Sequence, residues 1–225
     1  MEHLPIYIKI VFILTALLSL WLLYKATNQS KAIIITVLAW LGLQTALSLT
    51  GFYTVSRGVP PRFALLLVPP LMLLFIGLIT PAGRKLLDGF DIKWLTLIHI
   101  VRVPIEITLY WLFLHKTIPG IMTFEGHNFD ILAGLTAPLV YYLGYVKNAL
   151  HKNVILAWNI ICLLLLINIV VTAVLSAPFH FQKLAFNQPN IALFYFPFTW
   201  LPAVVVPAAL MAHLVSIRQL LIQKS

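Results

Sequence analysis

The chain has 225 residues, 61% of them hydrophobic and only 9% charged, with a formal net charge of +9. Soluble domains carry about 25% charged residues, so a water-soluble fold of this size is excluded and lipid is the expected solvent. Nucleic acid is excluded as a partner, because the Lys and Arg residues sit in short segments flanking apolar blocks. The expected partners are the lipid bilayer and a small-molecule ligand or substrate.

Crossing a hydrocarbon core takes about 20 apolar residues as a helix, or about 10 alternating ones as a barrel strand. The apolar blocks here are long and continuous, which predicts an all-α polytopic membrane protein. Seven spans are expected, at about 5–24, 32–53, 62–81, 94–115, 129–148, 153–176 and 193–217. Connections are short, so residues 1–225 are expected to form a single seven-helix transmembrane domain. The first block lacks the basic n-region and small-residue cleavage site of a signal peptide, and reads as a retained helix. The single cysteine, Cys162, allows no intrachain disulfide.

Loop charges set the expected orientation. Nine lie on one side (Lys25, Lys31, Arg84, Lys85, Lys93, Lys147, Lys152, Arg218, Lys224) and five on the other (Lys9, Arg57, Arg62, Lys116, Lys183). The richer side is expected to be cytoplasmic. That places the chain in the cell (inner) membrane, with its N-terminus outside and its C-terminus inside.

In the second span Trp40, Gln44 and Gly51 share a face, and Gln44 near the midplane needs a partner. Spans three, four, five and seven carry prolines at 69, 70, 104, 138, 197, 202 and 207. Such residues kink helices and free carbonyls that neighbours must satisfy. They either shape the bundle or open a cavity.

The fourth span holds the sharpest signal. At about 100° per residue, His99, Arg102, Glu106, Tyr110 and Phe113 fall in one sector, with His115 opposite. Glu106 lies about 18 Å along the helix from Trp94 at ~1.5 Å per residue, close to the midplane. Ionisable groups there are costly and mark functional sites by default. Arg102 and Glu106, four residues apart, are placed to pair with each other. Such a pair either locks the bundle or serves a site.

The following segment, HKTIPGIMTFEGHNFD, is expected outside. Glu125, His127 and Asp130, with His180 on the next outer loop, are ligand types suited to a divalent metal, although no motif spacing fixes a geometry. Alternatively the loop covers a cavity mouth, with Asp130 or Asn128 capping the next helix. In the fifth span Asp130, Gly134, Ala137, Tyr141, Tyr145 and Asn148 form a stripe facing the fourth helix. Asn159 and Asn168 in the sixth span point in opposite directions, so at most one joins a central site. In the seventh, Tyr195, Thr199, Pro202 and His213 share a face. His99 and His213 are expected at similar depth, where two facing histidines are able to hold a haem. The absence of lysine from the seventh span rules out a retinal Schiff base there.

The expected site is therefore a polar cavity formed by His99, Arg102, Glu106, Tyr110, Asp130, Tyr141, Gln44, Thr199 and His213. No cofactor is favoured, haem and a divalent metal remaining open. The leading function is transport of a small solute coupled to protons or cations, since proton relays use this kind of intramembrane acid. The alternatives are a metal- or haem-dependent membrane enzyme acting on a lipid or quinone, and a membrane sensor. Whether the chain is an enzyme is not decided by its sequence.

Overall fold

The computed structural model describes residues 3–55 and 61–222; Arg57 and Lys224, counted above among the flanking charges, lie outside them. Among the described residues the chain is all-α, without strands. The helices are α1 (Ile6–Ala26), α2 (Lys31–Leu49), α3 (Ala64–Ile79), α4 (Pro81–Asp88), α5 (Ile92–Leu97), α6 (Arg102–Leu114), α7 (Ile131–Tyr141), α8 (Lys152–Leu175) and α9 (Val206–Ile222). A 3-10 turn, Ile98–Val101, joins α5 and α6 into one rod. Wider π turns extend α7 through Val146 and lead into α9 from Leu201.

Five of these rods are long and apolar enough to cross a membrane: Ile6–Ala26, Lys31–Leu49, Ile92–Leu114, Lys152–Leu175 and Leu201–Ile222. The count becomes six if the bent pair α3 and α4 is one span. That pair turns by 96°, and the cause is local. Thr80 accepts a hydrogen bond from the Gly83 N–H (3.2 Å) and Pro81 takes the first helical position, so a new helix starts there. The expected fifth span is a shorter apolar helix, Ile131–Val146. The expected seventh begins at Leu201 rather than near 193 and runs on to Ile222. Pro197 and Pro202 supply no N–H to a helical ladder, and the chain before Leu201 forms turns that bury Leu193, Phe194 and Phe198.

The centre is built from α1, the α5–α6 rod and α9, with α7 and α8 packed on one side. α2 and α3 lie at the periphery. Polarity is reversed relative to a soluble protein. Large apolar side chains such as Leu14, Ile35, Leu73 and Leu164 face outward, whereas Arg102, Glu106 and Asp130 are buried. α9 is tied to the α4–α5 turn by a two-bond ion pair from Arg218 to Asp88 (2.7 and 2.8 Å), and by Gln219 donating to the carbonyls of Leu87 and Phe90.

One proline shows how the bundle meets its hydrogen-bond debts. Pro207 cannot donate to the carbonyl of Ala203 four residues earlier. The Trp40 indole N–H of α2 donates to that carbonyl instead, at 3.1 Å. Removing the donor with Trp40→Phe is expected to destabilise the fold by about 1–3 kcal/mol, the cost of a buried polar group left unpaired. Thermal unfolding in detergent checks this. An unchanged midpoint would mean that the carbonyl finds another donor.

Candidate functional site

The buried charges converge on Arg102, at the point where the 3-10 turn gives way to α6. Its guanidinium donates to Asp130 Oδ1 at 2.5 Å, to His213 Nε2 at 3.1 Å and, at 3.5 Å, to the carbonyl of Cys162. Three elements are thereby joined to the fourth span: the start of α7, α8 and α9. Glycine makes the approach of α7 possible. A Cβ on Gly134 would lie 2.8 Å from Val103 Cγ2 and 2.9 Å from the Val103 backbone nitrogen. Only a residue without a side chain lets the turn after Asp130 rest on the Val103 backbone beside Arg102.

The hydrogen-bond directions follow from Arg102. A guanidinium only donates, so His213 Nε2 must accept and the His213 proton sits on Nδ1. That N–H donates to Asn159 Oδ1 (3.0 Å), whose amide nitrogen donates to the Ile155 carbonyl (3.0 Å). Asn159 thus joins the centre, whereas Asn168, on the other face of α8, donates to the His127 carbonyl (2.9 Å) and holds the preceding loop.

Glu106 does not pair with Arg102. Its partner is Asn128, whose amide donates to Glu106 Oε2 at 2.6 Å and to the Met122 carbonyl at 3.0 Å. Asn128 Oδ1 accepts from the Asp130 N–H (3.1 Å), so the asparagine rather than the aspartate turns the chain into α7. Asp130 makes no capping bond with its side chain. The segment before α7 is drawn into the bundle to deliver these two residues. Gly126 allows the fold-back, since a Cβ there would lie 2.4 Å from the Gly120 carbonyl oxygen. A single buried path therefore runs Glu106–Asn128–Asp130–Arg102–His213–Asn159.

His99 lies beside this path. Its ring stacks on that of His213 with centroids 3.8 Å apart and planes 12° from parallel. The Trp158 edge packs on both rings. His99 is fully buried, and neither of its nitrogens has a hydrogen-bond partner among the described residues. The two imidazoles do share a depth, but their arrangement does not fit a haem. Axial ligands must point at one iron from opposite faces of the porphyrin, whereas these rings lie face to face with no room for a macrocycle between them.

The other expected site residues go elsewhere. Gln44 is buried and accepts a hydrogen bond from the Tyr53 hydroxyl, away from Arg102. Among the described residues Thr199 is buried with no partner for its hydroxyl, and Tyr141 is half-buried with no bond to the path. Tyr110 meets Glu125 and packs on Phe124. Of the metal candidates, Glu125, His127 and His180 are exposed while Asp130 is buried against Arg102. No group of three or more metal-ligating side chains occurs among the described residues. Periodicity on single helices does not identify Asn128 as the partner of Glu106. The signal present was its place in the loop, two residues before Asp130.

Residues 59–221 match the family described as "Domain of unknown function (DUF8737)", and the chain belongs to it. Every member of the buried path falls within the match, whereas α1 and α2 precede it. No curated protein and no solved structure matches the chain.

Breaking a buried ion pair by removing one partner costs about 3–5 kcal/mol, whereas replacing both with apolar groups is often neutral. Asp130→Leu is therefore expected to lower the thermal midpoint sharply, and Arg102→Met combined with Asp130→Leu to restore most of the loss. Equal destabilisation by the single and double variants would show that the two charges are not coupled.

Proposed function

We propose that this family member crosses the cell (inner) membrane seven times, with its N-terminus outside and its C-terminus in the cytoplasm. In this reading the seven crossings are α1, α2, α3, the α5–α6 rod, α7 with its π turn, α8, and the Leu201–Ile222 rod. The two short ones, α3 and α7, are completed by polar-tipped turns and by local adjustment of the bilayer. The protein carries a small solute, coupled to protons or cations, through its buried polar centre.

The observation behind this reading is the division of labour among the buried charges. Arg102 is committed to Asp130 and His213, so its charge is cancelled locally. Glu106, one turn away and 2% exposed, is held by a neutral amide alone. A carboxyl group with no fixed counter-charge is free to exchange a proton or cation, and intramembrane acids serve this purpose in pumps and transporters. Asn128 is the control point. It binds Glu106 and sits in the segment that covers it, so a movement of that segment both uncovers the acid and removes its donor.

The helices that would have to move contain irregular turns. A 3-10 turn lies directly before Arg102, and π turns lie in α7 and before α9. Mid-helix irregularities of this kind are common at hinges and functional sites. In the exchange step, lifting of the 115–130 segment opens Glu106 to the outer side. Return of the segment restores the Asn128 amide and returns the acid to the closed bundle.

The test is solid-supported membrane electrophysiology on reconstituted protein, with pH jumps and Na⁺ jumps as the probes. Wild-type protein is expected to give transient charge displacement with at least one of the two ions, and Glu106→Gln to reduce it at least tenfold while remaining folded. Absence of displacement in the wild type with both ions would contradict the proposal, as would currents unchanged in Glu106→Gln.

A further inference from the structure

On the face of α9 opposite the buried path, the outer helices leave a groove of about 700 Å³. That volume falls within the range of small-molecule and cofactor sites, about 300–1,000 Å³. Val37 and Trp40 of α2 form one wall, Pro70 and Leu73 of α3 the other, and Ala203 and Ala208 the floor. The floor is deep because its residues are small, and it is fixed because Trp40 is bonded to the Ala203 carbonyl.

One end of the groove is built differently from the rest. There the α1–α2 turn is bonded to the α4–α5 turn, by Asn28 Nδ2 donating to the Gly89 carbonyl (2.6 Å) and the Asp91 N–H donating to the Ala26 carbonyl (2.9 Å). These bonds bring the start of α2 and the length of α4 to the same end. Ala32 and Ile33 on one side, and Leu86 and Leu87 on the other, line the groove beside Lys31, Arg84 and Lys85. The nearby acids make no ion pair with these three residues, although Asp88 lies within electrostatic reach of Arg84. Asp88 is held by Arg218, and Asp91 caps α5 by accepting from the Lys93 N–H. Arg84 is exposed and donates from its Nε to the Leu78 carbonyl (2.8 Å).

From this charge pattern we infer that the groove is a binding site for an anionic phospholipid. The acyl chain lies between α2 and α3 over the small-residue floor, and the phosphate sits at Lys31, Arg84 and Lys85. The inference rests on the membrane reading above but not on transport, and the ligand chemistry follows from the groove itself. A long apolar trough favours a chain, and an excess of basic over acidic groups at its end favours a negative head. The cluster lies on the side expected to face the cytoplasm, the leaflet face where anionic lipids attract basic residues.

The test is native mass spectrometry of detergent-solubilised full-length protein after exchange with vesicles of equal phosphatidylglycerol and phosphatidylcholine. Wild type is expected to retain one phospholipid per chain, with phosphatidylglycerol favoured at least fivefold. Charge reversal in the triple variant Lys31→Glu, Arg84→Glu, Lys85→Glu is expected to abolish the preference. Ala208→Phe, which fills the floor and leaves the basic cluster intact, is expected to remove retention. Equal retention of the two lipids by wild type, retention unchanged in Ala208→Phe, or a second protein copy in place of lipid would overturn the inference. Loss of ion-driven currents with lipid binding intact would instead count against the transport reading alone.

Discussion

An arginine in an apolar helix is the constraint around which this fold is arranged. A guanidinium keeps its charge and has five N–H donors to place. Arg102, with 4% of its surface exposed, makes three bonds through its terminal nitrogens, while its Nε has no partner among the described residues. Three separate pieces of chain bring it acceptors: the Asp130 carboxylate, the His213 imidazole and the Cys162 carbonyl. Each acceptor has structural consequences. Asp130 requires Gly134 to let α7 approach, and His213 requires Asn159 to fix its tautomer. The loop that delivers Asp130 requires Gly126 to fold back on itself. The close packing of α6, α7, α8 and α9 is thus the coordination shell of one cation.

That arrangement separates two carboxylates that the sequence places in similar surroundings. Asp130 is neutralised and structural, whereas Glu106 is left with an amide. A fixed ion pair alone would make the centre a lock. In the proposed reading, the second acid beside it, bonded to Asn128 and in no ion pair of its own among the described residues, is what the centre exchanges. The stacked histidines extend the same polar seam on the other side of Arg102, and His99 is buried there with both nitrogens unpartnered. The outer groove is distinct in chemistry and position, apolar along its length and basic only at one end.

Much of the centre was legible from helical periodicity. The stripe His99, Arg102, Glu106 lies inward, Asp130 and His213 join it, and only Asn159 of the two asparagines in α8 reaches it. What periodicity does not supply is partner choice. Arg102 and Glu106 stand one turn apart on one helix, yet Arg102 bonds across to Asp130, because a carboxylate arriving on a close-packed neighbour meets the guanidinium head-on. Gln44 shows the same limit of periodicity: a polar residue on an inward face is buried, but burial does not say against what. Gln44 found Tyr53. The break at Thr80–Pro81 carried its own signal, a capping residue followed by proline, which the continuous apolar run obscured. The proline-rich start of the expected seventh span was obscured in the same way.

The transport reading requires Glu106, and not Asp130, to be the buried acid that exchanges a proton or cation. Its most direct test is infrared difference spectroscopy of lipid-reconstituted protein across a pH change and across a Na⁺ change, read in the carboxyl and carboxylate regions. A difference band with at least one of the two ions, absent from Glu106→Gln and preserved in Glu125→Gln, is the predicted result. Spectra silent to both ions, or a band that survives Glu106→Gln unchanged, would contradict it.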